Sequence, residues 1–534
     1  MGELNKNRLD AGTKGLSHYE IRLSTWRYRL REKLLPTVRW ETPYLAWFQA
    51  TARSPALDTY FSTTANLGTH TFYMVMLPIL FWCGYTSLAR AMVHILALGV
   101  FFSGFLKDLL CLPRPLSPPL QRITMSGSAA LEYGFPSSHS TNAVSVALYS
   151  LYLLKDESWD LNPNVKMLLQ VLSYFYAFSI VTGRLYCGMH GFFDVVTGSV
   201  LGAIITMVEC SYGGVLEDYL HSAGPKAVII VVLITFVLIR IHPEPADDCP
   251  CFDDSVAFAA VVIGVEFGSW HFAKTTYAWS EPGPGTVPYS LVEMGYLVSV
   301  LRIVTGVAVI FAWRGTTKPI FLRILPPIFR VVEALGLNLP RRYFKQASEY
   351  RRVPEQRDDD NLIPPVREIP GLLSNFRRRR GVSVGPQSEA DAYETMAYRE
   401  KRRRDSHTMN GVLSPVILSP SDEDLATYFP EPSTTTVSHT RKRSKSIEEY
   451  KNMMGAPISP RLKPQSGFAR KGIMNSSVES TAQEMDEKEL FSNLQKPRVR
   501  YDVEVVTKLI VYSGIAWLAV EGNPILFHFL GLAV

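Results

Sequence analysis

Three short polar clusters interrupt an otherwise apolar stretch of this sequence, and each holds residue types that handle phosphate. The first, Lys107-Asp-Leu-Leu-Cys-Leu-Pro-Arg114-Pro115, sets two cations seven positions apart, the second in a proline-stiffened loop. The second, Pro136-Ser137-Ser138-His139, stands directly before an apolar run. A helix N-terminus leaves backbone N–H groups unpaired, and these with a serine hydroxyl make a cradle for an anion. The third is Arg184, five residues, His190, three residues, Asp194. On a helix starting here His190 and Asp194 face the same way, so the carboxylate can bond one ring nitrogen and leave the other free to attack. Singly, each cluster has a plainer use. Long cations snorkel to headgroups, serines cap helices, and a His–Asp pair can be a structural hydrogen bond.

The elements that carry these clusters decide between the two uses. Apolar runs such as 91–106 and 227–239 recur between residues 67 and 313 and again after 503. A hydrocarbon core about 30 Å thick needs roughly 20 apolar helical residues, and most runs reach that with their flanks. A soluble helical core is excluded, because so many blocks with short polar joints would leave little to face water. The pattern predicts spanning helices near 67–85, 91–110, 139–155, 167–183, 193–211, 226–241, 254–272 and 291–313, with a last membrane segment at 503–534 broken by Glu521-Gly-Asn-Pro. The second helix then ends at the first cluster and the third begins at the second cluster. The third and fourth form a hairpin that returns to the same face at the third cluster. Lys107, Arg114, Arg184, Ser137, His139, His190 and Asp194 therefore converge, which suits binding a phosphate dianion and acting on it.

In order and spacing the clusters resemble the three-part signature of the type 2 phosphatidate phosphatase (PAP2) superfamily: K-x6-R-P, P-S-G-H and S-R-x5-H-x3-D. Two positions depart from it: Ser138 stands where the family has Gly, and Gly183 where it has Ser. The longer stretch CLPRPLSPPLQRITMSGSAALEYGFPSSHSTNAVSV, with GRLYCGMHGFFDVVTG, is similar to fungal long-chain base 1-phosphate (dihydrosphingosine 1-phosphate) phosphatases and their animal sphingosine 1-phosphate relatives. In that group PSSH is the usual second motif. The likeness runs from about 20 to 313 and resumes at 495–534.

The resemblance implies an all-α polytopic transmembrane bundle with a PAP2-type phosphatase core, and a metal-independent lipid phosphate monoester hydrolase with no cofactor. His190 would be the nucleophile, Asp194 would orient it, and His139 would be the general acid and base. Lys107, Arg114, Ser137, Ser138 (through its N–H) and Arg184 would bind phosphate. Preorganised cations can stabilise the charge that spreads over the equatorial oxygens, and no metal-spaced acidic cluster appears in the motifs. Differing protonation of His139 and His190 predicts a bell-shaped pH profile. The expected substrate is a sphingoid base 1-phosphate. A phosphatidate or prenyl diphosphate phosphatase, or a phosphotransferase, shares the same site chemistry. A transporter or non-catalytic scaffold would need the cations but no nucleophile with an orienting acid.

The remaining organisation is read from composition. Residues 1–66 are polar to amphipathic, and 19–48 suits an interfacial helix or a solvated arm. Residues 67–313 form the core, 314–339 an amphipathic or membrane-associated segment, and 503–534 the C-terminal membrane segment. The 340–500 stretch, with Arg runs and many Ser, Pro, Asp and Glu, is too polar to bury a core and is expected to be a disordered loop. It holds basic-directed kinase patterns at Ser406, Ser444 and Ser446 and a glycosylation sequon at Asn475. The net charge of +6 lies largely in such tails, so no nucleic-acid face is expected. Six cysteines make no disulfide framework; Cys249-Pro250-Cys251 is a local redox or metal pair, or incidental to its loop. No cleavable signal peptide is visible. Gly198 and Gly202 suit close packing behind the catalytic hairpin. Glu266 or Glu293 is expected to pair with Arg302 inside the bundle. The positive-inside count puts the active site in the cytoplasm, whereas the resemblance implies an endoplasmic reticulum protein with a lumenal site.

Overall fold

A computed structural model describes residues 11–13, 16–68, 70–117, 119–123, 132–155, 161–247, 249–337, 341, 344–353 and 500–533. The sequence predicts apolar helices, and helices form: α1 (Leu16–Arg22), α2 (Thr25–Ala52), α3 (Pro55–Thr64), α4 (His70–Trp82), α5 (Thr86–Leu110), α6 (Ser138–Leu153) and α7 (Pro163–Tyr186). Then follow α8 (Phe192–Ser222), α9 (Pro225–Ile241), α10 (Cys251–Phe272), α11 (Leu291–Ala334), α12 (Asp502–Trp517) and α13 (Asn523–Phe529). A π-helical turn, Leu518–Gly522, joins the last two, so Glu521-Gly-Asn-Pro does not break the run. The only strands among the described residues are two-residue β1 (Phe344–Lys345) and β2 (Arg500–Tyr501), paired in parallel.

Among the described residues, five helices are long and apolar enough to cross a membrane: α5, α7, α8, α11 and the α12–α13 unit. This is a membrane protein, as expected, although α4, α6, α9 and α10 fall short on length or composition. Helices α4, α6 and α9 are only 13, 16 and 17 residues long, and in α6 Ser140, Thr141, Asn142 and Ser145 are buried inside the bundle. The apolar window of α5 is 78% buried and that of α7 only 11%, which makes α5 the central helix and α7 an outer one. Outward side chains such as Phe175, Phe178, Met207, Leu233 and Val304 leave an apolar surface where lipid would lie. In α8, a Cβ on Gly198 would stand 2.5 Å from the Ser137 carbonyl oxygen, and one on Gly202 would strike that of Thr141. These glycines let α8 pack against α6.

Helix α2 lies across the end of the bundle. Arg27 donates to the carbonyls of Leu109 (2.9 Å) and Asp108 (2.6 Å), and Gln49 donates to that of Tyr186 (2.9 Å). Val38, Leu45 and Ala46 are buried beneath it while Trp26, Trp40 and Trp47 stay exposed, so it is docked and is not a free arm.

Helix α11 covers Leu291–Ala334, 44 residues, with a kink at Gly295 (φ 72°) and with Pro319, Pro326 and Pro327 inside it. At about 1.5 Å per residue the part after the kink is roughly 58 Å long, well beyond a hydrocarbon core, and it carries residues 314–334 as a continuation of the expected span. One expectation is corrected. Glu266 does not pair with Arg302. Its Oε1 lies 2.5 Å from His94 Nε2, because α10 packs on α5. Arg302 instead donates to the Pro288 carbonyl (2.9 Å) and stacks over Phe527.

The far end of α11 is clamped. Arg330 Nε donates to the Ala347 carbonyl (3.0 Å), and Glu333 accepts from the Ala347 and Ser348 N–H groups (2.8 and 3.0 Å). Arg500 in β2 pairs with Asp253 in the first turn of α10 (3.3 Å). The same turn packs on Gly104 near the end of α5, so residues 353 and 500 both stand at the bundle end that holds Lys107. Residues 344–353 and 500, expected within a disordered loop, are ordered here, because β1 pairs with β2 and Ala347 is held by Arg330 and Glu333. Ser406, Ser444, Ser446, Asn475 and the rest of 340–500 lie outside the described residues.

Candidate active site

The three clusters meet at that same end of the bundle. Helix α5 stops after Leu110 because Cys111 takes a left-handed conformation (φ 52°) and prolines follow, which turns the chain toward Arg114. Lys107, in the last turn of α5, and Arg114 are both buried. The strand-like segment 133–135 returns beside them: the Gly134 N–H donates to the Leu112 carbonyl (3.0 Å), and a Cβ at Gly134 would stand 2.9 Å from Arg114 Cα. Glycine permits that approach. Phe135 then stacks on Phe193 of α8 at 4.6 Å.

Ser137 caps α6. Its Oγ accepts from the Ser140 N–H (3.3 Å) and the Ser140 hydroxyl (2.9 Å), which leaves its own hydrogen to donate. Ser138 opens the helix, so its N–H has no intrahelical acceptor. Its Cβ is accommodated, with the hydroxyl accepting from Ser103 (3.0 Å). His139 follows in the first turn of α6, partly exposed. At Gly183 the added Cβ of a serine would stand 2.9 Å from the Phe61 ring, so α3 fills the place where the signature carries a hydroxyl.

Arg184, in the last turn of α7, is buried and its Nε has no hydrogen-bond partner among the described residues, an arrangement suited to an incoming anion. His190 is buried at 2% exposure between the helices. Its Nδ1 lies 2.8 Å from the Gly134 carbonyl oxygen, which can only accept, so Nδ1 carries the proton. Its Nε2 lies 3.2 Å from Arg114 Nη1, which can only donate, so Nε2 carries the lone pair. Those two neighbours select the tautomer a nucleophile needs. Burial, then the charges of Arg114, Lys107, Arg184 and His139, hold the His190 imidazolium well below its ordinary range, so the ring is neutral at neutral pH. Burial also draws Arg114 down to about 10, still fully charged.

Asp194 is placed differently from the sequence-based expectation. Its Oδ2 accepts from the Gly191 N–H (2.9 Å) at the start of α8 and stands 3.7 Å from His190 Nδ1. The carboxylate is thus an electrostatic neighbour of the ring, and the direct hydrogen bond goes to Gly134. The Asp194 carbonyl in turn accepts from the Ser137 N–H (3.1 Å), tying the second cluster to the third. All eight sequence-derived residues lie at this end, with Lys107, Arg114, His190 and Asp194 in one charge-coupled group.

Sequence reasoning missed three residues. Glu132 bridges Lys107 Nζ and Arg114 Nη2, each 3.2 Å from its Oε2. Glu41 of α2 is buried and accepts from the Phe193 N–H (3.0 Å), and burial pushes its carboxyl up to about 7. Arg122 is buried nearby and donates to the Pro115 carbonyl (3.3 Å). Glu132 alone left a signal: an acid in the loop between the first two clusters, five positions before Ser137. Cys187, buried and raised to about 11, is no thiolate nucleophile. Asp108, Cys249 and Cys251 bring metal-ligand atoms within 4.8 Å of one another, but the two sulfurs are joined in a disulfide and offer no thiolates.

Residues 88–213, which include all three clusters, match the PAP2 superfamily. The chain is 40% identical over 304 residues to a dihydrosphingosine 1-phosphate phosphatase of Schizosaccharomyces pombe, covering 57% of this chain and 72% of that protein. It is 35% identical over 305 residues to a dihydrosphingosine 1-phosphate phosphatase of Saccharomyces cerevisiae, covering 57% and 73%. Human sphingosine-1-phosphate phosphatase 2 is 27% identical over 276 residues, covering 51% and 67%.

Proposed function

Because this chain belongs to the PAP2 superfamily, in the group that holds these fungal dihydrosphingosine 1-phosphate phosphatases, we propose that it hydrolyses sphingoid base 1-phosphates through a phosphohistidine on His190. The observation that carries the chemistry is the His190 ring, neutral, with Nε2 unprotonated and turned to the cation Arg114. Lys107, Arg114 and Arg184 take the phosphoryl oxygens, with the Ser137 hydroxyl and the Ser138 N–H. Nε2 forms a bond to phosphorus while the bond from phosphorus to the C1 oxygen breaks, and His139 gives that oxygen its proton. His139 then removes a proton from water, the water oxygen bonds to phosphorus, and the phosphorus–nitrogen bond breaks to release phosphate. Asp194 and the Gly134 carbonyl offset the positive charge on the ring meanwhile. Fixed cations stabilise the spread phosphoryl charge without reorganising.

The test is phosphate release by membranes carrying wild-type or His190→Ala protein, with EDTA present and dihydrosphingosine 1-phosphate or phosphatidic acid as substrate. Activity on the sphingoid substrate, lost with His190, supports the reading. Activity mainly on phosphatidic acid overturns the specificity, and no difference between the proteins overturns the mechanism.

The proposed setting is the endoplasmic reticulum membrane with the site facing the lumen. Residues 353 and 500 lie at the active-site end, so the segment between them starts and ends on the side of the site. A lumenal site then predicts glycosylation at Asn475, read as a glycosidase-sensitive mobility shift that Asn475→Gln abolishes. Phosphate at Ser444 or Ser446 in place of glycan would put the site in the cytoplasm.

A further inference from the structure

A phosphate pocket gains nothing from a carboxylate, since a like charge beside the cations repels the dianion they must bind. Glu132 nonetheless sits on Lys107 and Arg114, its side chain 29% exposed at the edge of the site. Its backbone is fixed independently of that carboxylate. Arg114 Nε donates to the Glu132 carbonyl (3.1 Å), and the following Tyr133 hydroxyl donates to Asp247 and accepts from its N–H (3.1 and 2.9 Å). When a phosphate takes the two cations, the carboxylate must turn aside while its Cα stays in place, so it remains a neighbour of the bound ester.

A sphingoid base 1-phosphate carries an ammonium on the carbon next to the one bearing the phosphate. That cation arrives with the phosphate and meets a carboxylate that has just given up Lys107 and Arg114. We infer that Glu132 reads this ammonium and is the residue that selects sphingoid base 1-phosphates over phosphate esters lacking an amine. The inference rests on the function proposed above. A site built to pair a charged group discriminates strongly against the analogue that lacks it, because the site's own group is then left unpaired. With phosphatidic acid, or with the N-acetylated sphingoid phosphate, the displaced carboxylate gains no new cation and competes to return.

The experiment compares wild type, Glu132→Gln and Glu132→Asp on dihydrosphingosine 1-phosphate, its N-acetyl derivative and phosphatidic acid. It also measures inhibition by inorganic phosphate. Glu132→Gln is expected to lose roughly 10- to 100-fold in kcat/KM on the free amine, the range of one charge-assisted hydrogen bond. Its turnover of the two amine-free substrates should hold or rise, and inorganic phosphate should inhibit it more tightly, because the competing charge is gone. Glu132→Asp, which keeps the charge, should retain part of the preference and reports whether the loop still folds. Equal losses on all three substrates would reduce Glu132 to positioning Lys107 and Arg114, and an unchanged preference would remove it from recognition; either overturns the inference alone. Wild type that acts on phosphatidic acid but not on the free amine overturns the functional reading and this inference with it.

Discussion

Replacing Asp194 with Asn separates two ways of orienting His190. If the carboxylate sets the tautomer, as in a serine protease triad, its neutral isostere costs about 10⁴-fold in kcat. Here the Gly134 carbonyl holds Nδ1–H at 2.8 Å and Asp194 Oδ2 stands 3.7 Å away, so the tautomer survives the change. On the proposed mechanism, what disappears is the attraction between a carboxylate and the positive ring of the phosphohistidine. At 3.7 Å and an effective dielectric of about 20, that attraction is about 4.5 kcal/mol. Part of the carboxylate's charge is already satisfied by the Gly191 N–H and the start of α8, so about 2–3 kcal/mol is expected, roughly 30- to 150-fold in the phosphorylation step. Asn can still accept from Gly191, so the fold should hold. The assay is rapid-quench measurement of phosphoenzyme formation from radiolabelled dihydrosphingosine 1-phosphate, beside a thermal melt of each protein in detergent. A loss of 10⁴-fold or more in a protein that melts normally would refute the role given to Gly134. A loss under about threefold would refute the role given to Asp194.

Two further outcomes follow from packing and burial. Glu41, raised to about 7 from an ordinary 4.5, holds its proton more tightly folded than unfolded, so its contribution is complete below pH 4.5 and is lost as pH rises through 7. Across that window the loss is about 3 kcal/mol. Glu41→Gln should therefore lose less melting temperature than wild type between pH 4.5 and 7.5; parallel curves would show that Glu41 does not titrate there. Burial of neutral His190 gives the opposite slope, stability falling as pH drops below its unfolded value near 6.5, so the variant's curve should also tilt the other way. Gly198→Ala would place a methyl 2.5 Å from the Ser137 carbonyl, so it should cost about 1–3 kcal/mol by overpacking and lower kcat by moving the cap of α6. A melt and a turnover rate equal to wild type would show that the two helices separate freely.

The residues most legible in the sequence were those whose chemistry needs fixed local spacing. Lys107 and Arg114, Ser137 to His139, and Arg184 to Asp194 each fall within one loop or helix end, and apolar runs placed the helices that carry them. What escaped was contributed by backbone or by distance. The Gly134 carbonyl has no side-chain signature, and its role became visible only where the chain passes close to Arg114. Glu41 reaches the start of α8 from a helix about 150 residues earlier, which no local pattern records. Glu266 pairs with His94 because α10 lies against α5, a packing choice that apolar runs do not express. Helix α11 continues through Pro319, Pro326 and Pro327 to Ala334, and its far end is held by residues 344–353, a contact that no local pattern in 291–334 records.

The measurement that bears most directly on the mechanism is the location of the trapped phosphate. Enzyme quenched in alkali during turnover of radiolabelled dihydrosphingosine 1-phosphate, then digested and sequenced by mass spectrometry, should carry acid-labile, base-stable phosphate on His190. The label should be absent from His190→Ala, and in His139→Ala, which lacks both the acid for its formation and the base for its hydrolysis, it should form and decay more slowly than in wild type. Phosphate on another residue, or full turnover by His190→Ala with no phosphoenzyme, would contradict the nucleophile assigned to this site.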